Sequence, residues 1–235
     1  MVCIVTGSSR GLGKSIALAL GKRKYSVAVH YNEDREGAEK TAEAIDDSIV
    51  LKGDVRYNSD VQALVKSVVD KWGRVDVLVN NAGITKEALL LKTSEEFFTD
   101  VMNTNLKGPF NVTKAVARHM IKQRKGHIIN ISSYAGIKGK QGLSAYASSK
   151  AALIGMSRSA SLELGRYEIM VNTVLPGYMM TDMGSASNIK AQDQAINDSI
   201  LKSYSEPQNI AEFICYLVST TGITGQVFNL DSRII

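Results

Sequence analysis

Seven short runs rich in β-branched residues, at 2–6, 27–31, 49–52, 75–79, 127–132, 169–175 and 226–230, recur along the chain with longer segments between them. In several of the intervals, GKSIALALGKRK, REGAEKTAEAI, SDVQALVKSVVDKW and PQNIAEFICYLVS, apolar residues return at helical spacing. Parallel strands cannot be joined by a tight turn, and each needs a crossover that is usually a helix. The alternation therefore predicts an α/β chain: a doubly wound Rossmann fold whose single, mostly parallel seven-stranded sheet carries helices on both faces. With 235 residues, 44% of them hydrophobic, the chain can bury a large core, and one domain over 1–235 is expected. The polar, irregular stretch 178–205 is the exception and reads as a substrate loop or lid.

Charge narrows the partners. Lys and Arg number 28 against 23 Asp and Glu, a net +5 without dense basic runs, so nucleic acid is not expected while an acidic or phosphorylated ligand is allowed. The first strand begins at Val2 and no apolar stretch reaches the roughly 18 residues that span a bilayer, so no membrane partner is expected and the cytoplasm is the expected location. Cys3 and Cys215, far apart in apolar runs, read as buried thiols in a reducing compartment. His30, His119 and His127 are scattered without metal-ligand spacing, so no metal is expected and each reads as structural or surface.

The segment TGSSRGLG, from Thr6 to Gly13, follows the first strand and opens the first helix. Glycines there let main chain approach a pyrophosphate, whose charge the helix N-terminus stabilises; a ligand-free strand-to-helix turn is the alternative. Its G-x-x-x-G-x-G spacing differs from the usual G-x-G-x-x-G fingerprint. It resembles the cofactor turn of the short-chain dehydrogenase/reductase family, and further motifs resemble that family in order: Asp54-Val55, VNNAG at 79–83, Asn105 in NTNLKG, Ser133 in NISS, Tyr146 and Lys150 in SAYASSK, and Pro176-Gly177 with Thr181-Asp182. The resemblance runs from Val2 to about Leu230. It implies a catalytic four, Asn105, Ser133, Tyr146 and Lys150. It also implies a cofactor site of Gly7, Ser9, Arg10, Gly11, Leu12, Gly13, Tyr31, Asn32, Asp54, Val55, Asn81, Ala82, Gly83, Tyr146, Lys150, Pro176, Gly177, Met179 and Thr181. The family's acid at the end of the second strand is missing from His30-Tyr31-Asn32, and Arg10 offers a guanidinium to a phosphate, so NADPH is expected over NADH.

The chemistry of the four follows from the reaction. A ketone accepting hydride develops alkoxide character and needs a proton. At i and i+4 on a helix, Tyr146 and Lys150 share a face, and a nearby ammonium favours the phenolate of a group whose free pKa is about 10. Ser133 is expected to polarise the carbonyl. Pro109 lacks an N–H for the Asn105 carbonyl, so the helix should bend there and leave that acceptor open, which suits the family's water-linked proton relay.

ITKEALLLK, NTNLKGPF and PGYMMTDM resemble the β-ketoacyl-[acyl carrier protein] reductases, which implies reduction of a 3-oxoacyl thioester on carrier protein or coenzyme A in fatty-acid synthesis, by a homotetramer. Lys122, Arg124, Lys125 and Arg166 would offer an acidic carrier protein a landing point near the site, or form a solvated basic face. Leu143 in place of glutamine, LKSYSEP at 201–207 and Asp231-Ser232-Arg233 in place of DGG depart from that group. Another small ketone, quinone, sugar or cyclic alcohol is the second enzymatic reading, and a nicotinamide-nucleotide sensor without turnover is the reading from another class.

Overall fold

Alternate residues of β1 (Val2–Val5) point to opposite faces of a sheet, and both sets are buried: Cys3 and Val5 in one apolar cluster, Val2 and Ile4 in the other. A strand covered on both sides needs a continuous apolar run, which is what makes VCIV legible. The structure, a computed structural model, describes residues 1–185 and 189–233. It continues through α1 (Gly11–Lys22), β2 (Ser26–Tyr31), α2 (Arg35–Glu43), β3 (Ser48–Lys52), α3 (Asn58–Trp72), β4 (Val77–Asn80), α4 (Glu95–Met102) and α5 (Gly108–Gln123). The second half comprises β5 (Gly126–Ile131), α6 (Ala135–Lys138), α7 (Ser144–Leu164), β6 (Ile169–Pro176), α8 (Asp182–Ser185), α9 (Ile189–Asp198), α10 (Pro207–Ser219) and β7 (Val227–Leu230).

All seven strands are parallel, in the order 3-2-1-4-5-6-7, and each lies within two residues of its expected run. The mostly parallel sheet expected from the sequence is thus wholly parallel. Strand order reverses between β1 and β4, which opens a crevice at their C-terminal ends. Helices α1 and α10 cover one face, with Ile16, Leu20, Ile210 and Ile214; α3 and α5 cover the other, with Leu64, Val68, Val116 and Met120. Each fully buried Ile or Leu, such as Ile4, Leu78 and Ile128, contributes about 1.5–3 kcal/mol. Cys3 and Cys215 are free, buried thiols in the first cluster. Among the described residues no helix is long and apolar enough to cross a membrane.

Two local expectations take a different form. The bend before Pro109 is a π turn, Asn103–Lys107, in which the Gly108 N–H donates back to the Asn103 carbonyl, and Pro109 sits in the first turn of α5. The basic residues stand at a different edge of the sheet from the one expected. Arg124 donates to the Arg166 carbonyl at 3.4 Å, binding the end of α5 to the segment after α7. Both helices run back from the C-terminal to the N-terminal edge of a parallel sheet, so Lys122, Arg124, Lys125 and Arg166 stand across the sheet from the crevice. A carrier protein docked on them would not face this chain's own crevice.

His127, at the start of β5, is buried between Asp76 and Lys125, and burial lowers its pKa to about 4. The unfolded chain takes up that proton near pH 6.5 and the folded chain only near 4, so stability is complete above 6.5 and falls as the pH drops from 6.5 to 4. The loss from this group reaches on the order of 3 kcal/mol. His127→Leu should flatten the dependence of the urea midpoint on pH across that window; an unchanged slope would place the acid sensitivity elsewhere.

Candidate active site

Ends of neighbouring strands border the crevice, and the turn after β1 is its centre. Gly7 (φ +64°) and Gly11 (φ +54°) occupy the left-handed region that favours glycine. A Cβ on Gly7 would lie 2.9 Å from the Ala82 Cα, and one on Gly13 would overlap the Gly7 carbonyl oxygen. At Gly11 the nearest atom to an added Cβ would be Thr181, at 3.5 Å. Arg10, at the N-cap of α1, supplies no side-chain cap, and the first intrahelical bond runs from Lys14 N–H to the Arg10 carbonyl. The N–H groups of Gly11, Leu12 and Gly13 are thereby left for an anion, while the Leu12 side chain is committed to the core. This cradle fits the pyrophosphate of a dinucleotide.

The turn is fixed by its neighbours. The Thr6 hydroxyl accepts the N–H groups of Asn81 and Ala82, each at 3.0 Å, and the Asn81 amide donates to the Thr6 and Gly7 carbonyls at 3.0 Å. Tyr31 is buried at the end of β2 and Asn32 is exposed. Ser9 is buried, and its carbonyl accepts from the Thr41 hydroxyl at 3.5 Å. Val55 is buried; Asp54 is engaged by Arg56 through four hydrogen bonds of 2.6–3.0 Å, which hold its carboxyl below the usual range despite an opposing effect of burial. Pro176 ends β6 and Gly177 follows it, both buried, with half-buried Met179 and Thr181 beyond. Arg10 is exposed and only weakly tied, to Asp182 at 3.6 Å.

The four residues expected to be catalytic lie beside the cradle. Ser133 stands two residues beyond β5; its hydroxyl accepts the Ala135 N–H at 3.2 Å and stands near enough to the Tyr146 phenol to act on its pKa. Tyr146 is in the first turn of α7; Lys150, one turn on, is buried, with its ammonium 5.7 Å from the Tyr146 ring centre and donating to the Ile131 carbonyl at 2.8 Å. Ser132 donates to the Lys150 carbonyl at 2.8 Å, a second stitch between β5 and α7. Asn105 is fully buried in the π turn. Its amide accepts from Ile84 N–H at 2.8 Å and donates to the Ile84 carbonyl at 2.9 Å and to Ser149 at 3.2 Å, and Ser149 in turn donates to the Tyr146 carbonyl at 2.7 Å. Gly83 completes the wall, where a Cβ would stand 3.6 Å from the Lys150 nitrogen.

One expectation is corrected here. The spacing predicts that Lys150 draws the phenol toward neutrality, yet burial raises the Tyr146 pKa, an effect the nearby Ser133 hydroxyl only partly offsets, and lowers that of Lys150 to about 8. The ammonium spends its hydrogen bond on the Ile131 carbonyl, so desolvation prevails over attraction. At neutral pH the pair therefore holds a protonated phenol beside a cation, which is the state a proton donor requires.

The altered tail borders this site. Arg233 bonds to Asp231 through its main-chain N–H (3.0 Å) and guanidinium (2.7 Å), and the guanidinium stacks 4.2 Å from the ring centre of Tyr134, next to Ser133. Side-chain bonds thus build the turn that the family makes with glycines. Ser232 bonds to Ser199 and accepts the Ile200 N–H at 3.2 Å, joining the tail to the end of 178–205. Residues 186–188 of that stretch lie outside the described residues. Leu143 is buried before α7, bridged to Ala88. The sequence reading assigns no role of their own to Thr6, which opens TGSSRGLG, or to Ser132 and Ser149, whose only signal is their place beside expected catalytic residues, and it leaves His30 as structural or surface.

A dinucleotide cradle at the strand-order reversal beside a Ser–Tyr–Lys cluster defines an oxidoreductase site, and residues 1–192 match the short chain dehydrogenase family, to which the chain belongs. Among its relatives, the 3-oxoacyl-[acyl-carrier-protein] reductase FabG of Staphylococcus epidermidis is 40% identical over 234 residues, covering 97% of this chain and 96% of the relative. The FabG of Thermotoga maritima is 39% identical over 241 residues, covering 100% and 97%. A solved structure of an actinorhodin polyketide ketoreductase variant with NADPH superimposes with a TM-score of 0.91 at 33% identity, covering 98% of this chain and 95% of that one.

Proposed function

We propose that the chain reduces 3-oxoacyl thioesters, on acyl carrier protein or coenzyme A, to 3-hydroxyacyl thioesters in fatty-acid synthesis, with NADPH as reductant. The observation that carries this reading is the Tyr146 phenol one helical turn from the buried Lys150 ammonium, which lies 5.7 Å from the phenol ring, at the mouth of a cradle that fits a dinucleotide. Identity of about 40% to two reductases named for this substrate supports it.

The N–H groups of Gly11, Leu12 and Gly13 would hold the pyrophosphate, with Gly7 and Ser9 shaping the turn and Ala82 and Gly83 walling it. Tyr31, Asn32, Asp54 and Val55 would border the adenosine, and Pro176, Gly177, Met179 and Thr181 the nicotinamide end. The bound nicotinamide supplies the hydride. Tyr146 gives its phenolic proton to the substrate oxygen, Ser133 orients that oxygen by donating to it, and Lys150 stabilises the tyrosinate that remains. Asn105, holding Ile84 and Ser149, keeps the helix of Tyr146 in register with the wall of the site. Its main-chain carbonyl, which Pro109 cannot engage, would receive the water of a proton relay. Segment 178–205 would close over the acyl chain.

No acid stands at the end of β2, and Arg10 is free enough to exchange its weak Asp182 contact for a 2′-phosphate. Arg10→Ala is expected to weaken NADPH binding by about tenfold while leaving NADH nearly unaffected; equal losses for both would remove the 2′-phosphate assignment. A homotetramer in the cytoplasm completes the reading, with the groove of Leu106, Phe110 and Met156 between α5 and α7 available to a second copy.

The deciding experiment is NADPH oxidation with acetoacetyl thioesters on carrier protein and on coenzyme A, beside simple ketones. Turnover of the thioesters supports the proposal. Turnover of simple ketones alone would keep the chemistry and overturn the substrate, and cofactor binding without oxidation by any carbonyl would favour the sensor reading.

A further inference from the structure

His30 is buried at the end of β2 and makes every hydrogen bond available to it. Its ring Nδ1 lies 3.0 Å from the Gly7 nitrogen, and its Nε2 lies 2.9 Å from the Gly53 carbonyl oxygen. A main-chain N–H can only donate, so Nδ1 accepts from Gly7; Nε2 then carries the proton and donates to Gly53. The neutral tautomer is therefore fixed by its partners. In the main chain, His30 N–H donates to the Ser8 hydroxyl at 3.0 Å, and the His30 carbonyl accepts the Ser8 N–H at 2.9 Å.

These bonds span two loops. Gly7 belongs to the turn after β1, and Gly53 immediately precedes Asp54-Val55 after β3, so one imidazole ties the pyrophosphate side of the site to its adenosine side. Gly7 is held by side chains at both of its polar groups, its N–H by His30 and its carbonyl by Asn81 at 3.0 Å. Gly7 cannot shift toward Ala82 or Gly13, where there is no room even for a methyl group. Without an acceptor at Nδ1, its part-buried N–H would lose its partner within the protein and the peptide would be free to rotate, carrying the helix N-terminus with it.

We infer that His30 is a positioning residue for the nucleotide, holding the glycine turn and the Gly53-Asp54-Val55 loop in the mutual geometry that receives the cofactor. The inference rests on the reading of the cradle as a nicotinamide-dinucleotide site. It concerns affinity: His30 lies beneath the turn, not among the groups that touch the substrate oxygen.

Two conservative variants separate the ring's two bonds. His30→Asn places its amide oxygen near the position of Nδ1 and can still accept from Gly7. His30→Gln reaches the position of Nε2 and can still donate to Gly53, but leaves the Gly7 N–H without an acceptor. Calorimetric titration of the full chain with NADPH should give a Kd for His30→Asn within about threefold of wild type and one for His30→Gln raised about tenfold or more. In turnover assays with acetoacetyl-coenzyme A, the KM for NADPH should rise in the Gln variant by more than kcat falls. Amide exchange at Gly7 should be slow in wild type and the Asn variant and fast in the Gln variant, a readout independent of the cofactor. A general structural role would lower both melting temperatures without separating the two Kd values. Equal Kd values in the Asn and Gln variants, whether both normal or both weakened, would overturn the inference. Wild-type protein that binds neither NADPH nor NADH would overturn the cofactor reading itself, and this inference with it, a result distinct from equal affinity in the variants.

Discussion

Tyr146→Phe is expected to reduce the turnover of acetoacetyl thioesters by about a thousandfold or more, within and above the range usual for loss of a positioned proton donor. The melting temperature and the Kd for NADPH should change little. The substitution removes one oxygen and keeps a half-buried ring of the same shape, so packing against the Lys150 ammonium 5.7 Å away is retained. What disappears is the hydroxyl, which is kept protonated because burial raises its pKa. The same physics sets a pH dependence. Lys150 loses its proton near about 8, and above that pH the charge proposed to stabilise the tyrosinate left by proton transfer fades, so the wild-type reduction rate should hold from about 6 to 7.5 and fall beyond 8. A Phe variant retaining more than a tenth of wild-type turnover would mean that water or Ser133 delivers the proton, and that Tyr146 only shapes the site.

The parts of this molecule that could be read from its sequence are those where one residue type answers one physical demand. VCIV and GHIINI announce strands because a parallel strand is buried on both faces. Gly7 and Gly11 could be read because positive φ admits few alternatives to glycine. Tyr146 and Lys150 could be read because helical spacing alone makes them neighbours. Quantities set by competition were not legible. Whether the ammonium lowers the phenol pKa or burial raises it depends on how much water each group loses and on the Ile131 carbonyl that takes the Lys150 hydrogen bond, and no spacing encodes either. The place of the basic residues failed for a different reason. Arg124 and Arg166 are close in the fold because two helices end at the same sheet edge, and which edge follows from the topology of the crossovers rather than from local sequence. His30 shows a third limit, since a lone histidine at a strand end acquires a role only through carbonyl and amide groups contributed by two other loops.

Gly13→Ala should be the most damaging one-carbon change in the glycine turn. In an ordinary helix interior alanine stabilises relative to glycine by up to about 1 kcal/mol, so the expected sign is the reverse of the intrinsic one. The added methyl would overlap the Gly7 carbonyl oxygen and come within 2.5 Å of the Asn81 amide nitrogen. Neither neighbour can yield cheaply. The Gly7 carbonyl is main chain, in a residue pinned through its own N–H to His30, and the Asn81 amide spends its donors on the Thr6 and Gly7 carbonyls. Relief must come from α1, which would lift from β1 and carry the pyrophosphate-facing N–H groups with it. Overpacking of this kind costs about 1–3 kcal/mol, and the displaced N–H groups should cost at least about a hundredfold in NADPH affinity, since catalytic and binding geometry tolerates displacements of only about 0.5 Å. Gly73→Ala provides the control. Gly73 also has positive φ (+73°) but nothing within 4 Å of its added carbon, and it ends α3 at the opposite edge of the sheet. There the methyl should cost about 1 kcal/mol of backbone strain and leave the Kd for NADPH unchanged. Urea unfolding and NADPH titration on both variants separate the cases: a Gly13→Ala protein that binds NADPH as tightly as Gly73→Ala would show that close packing of α1 on the turn is not what builds the cradle.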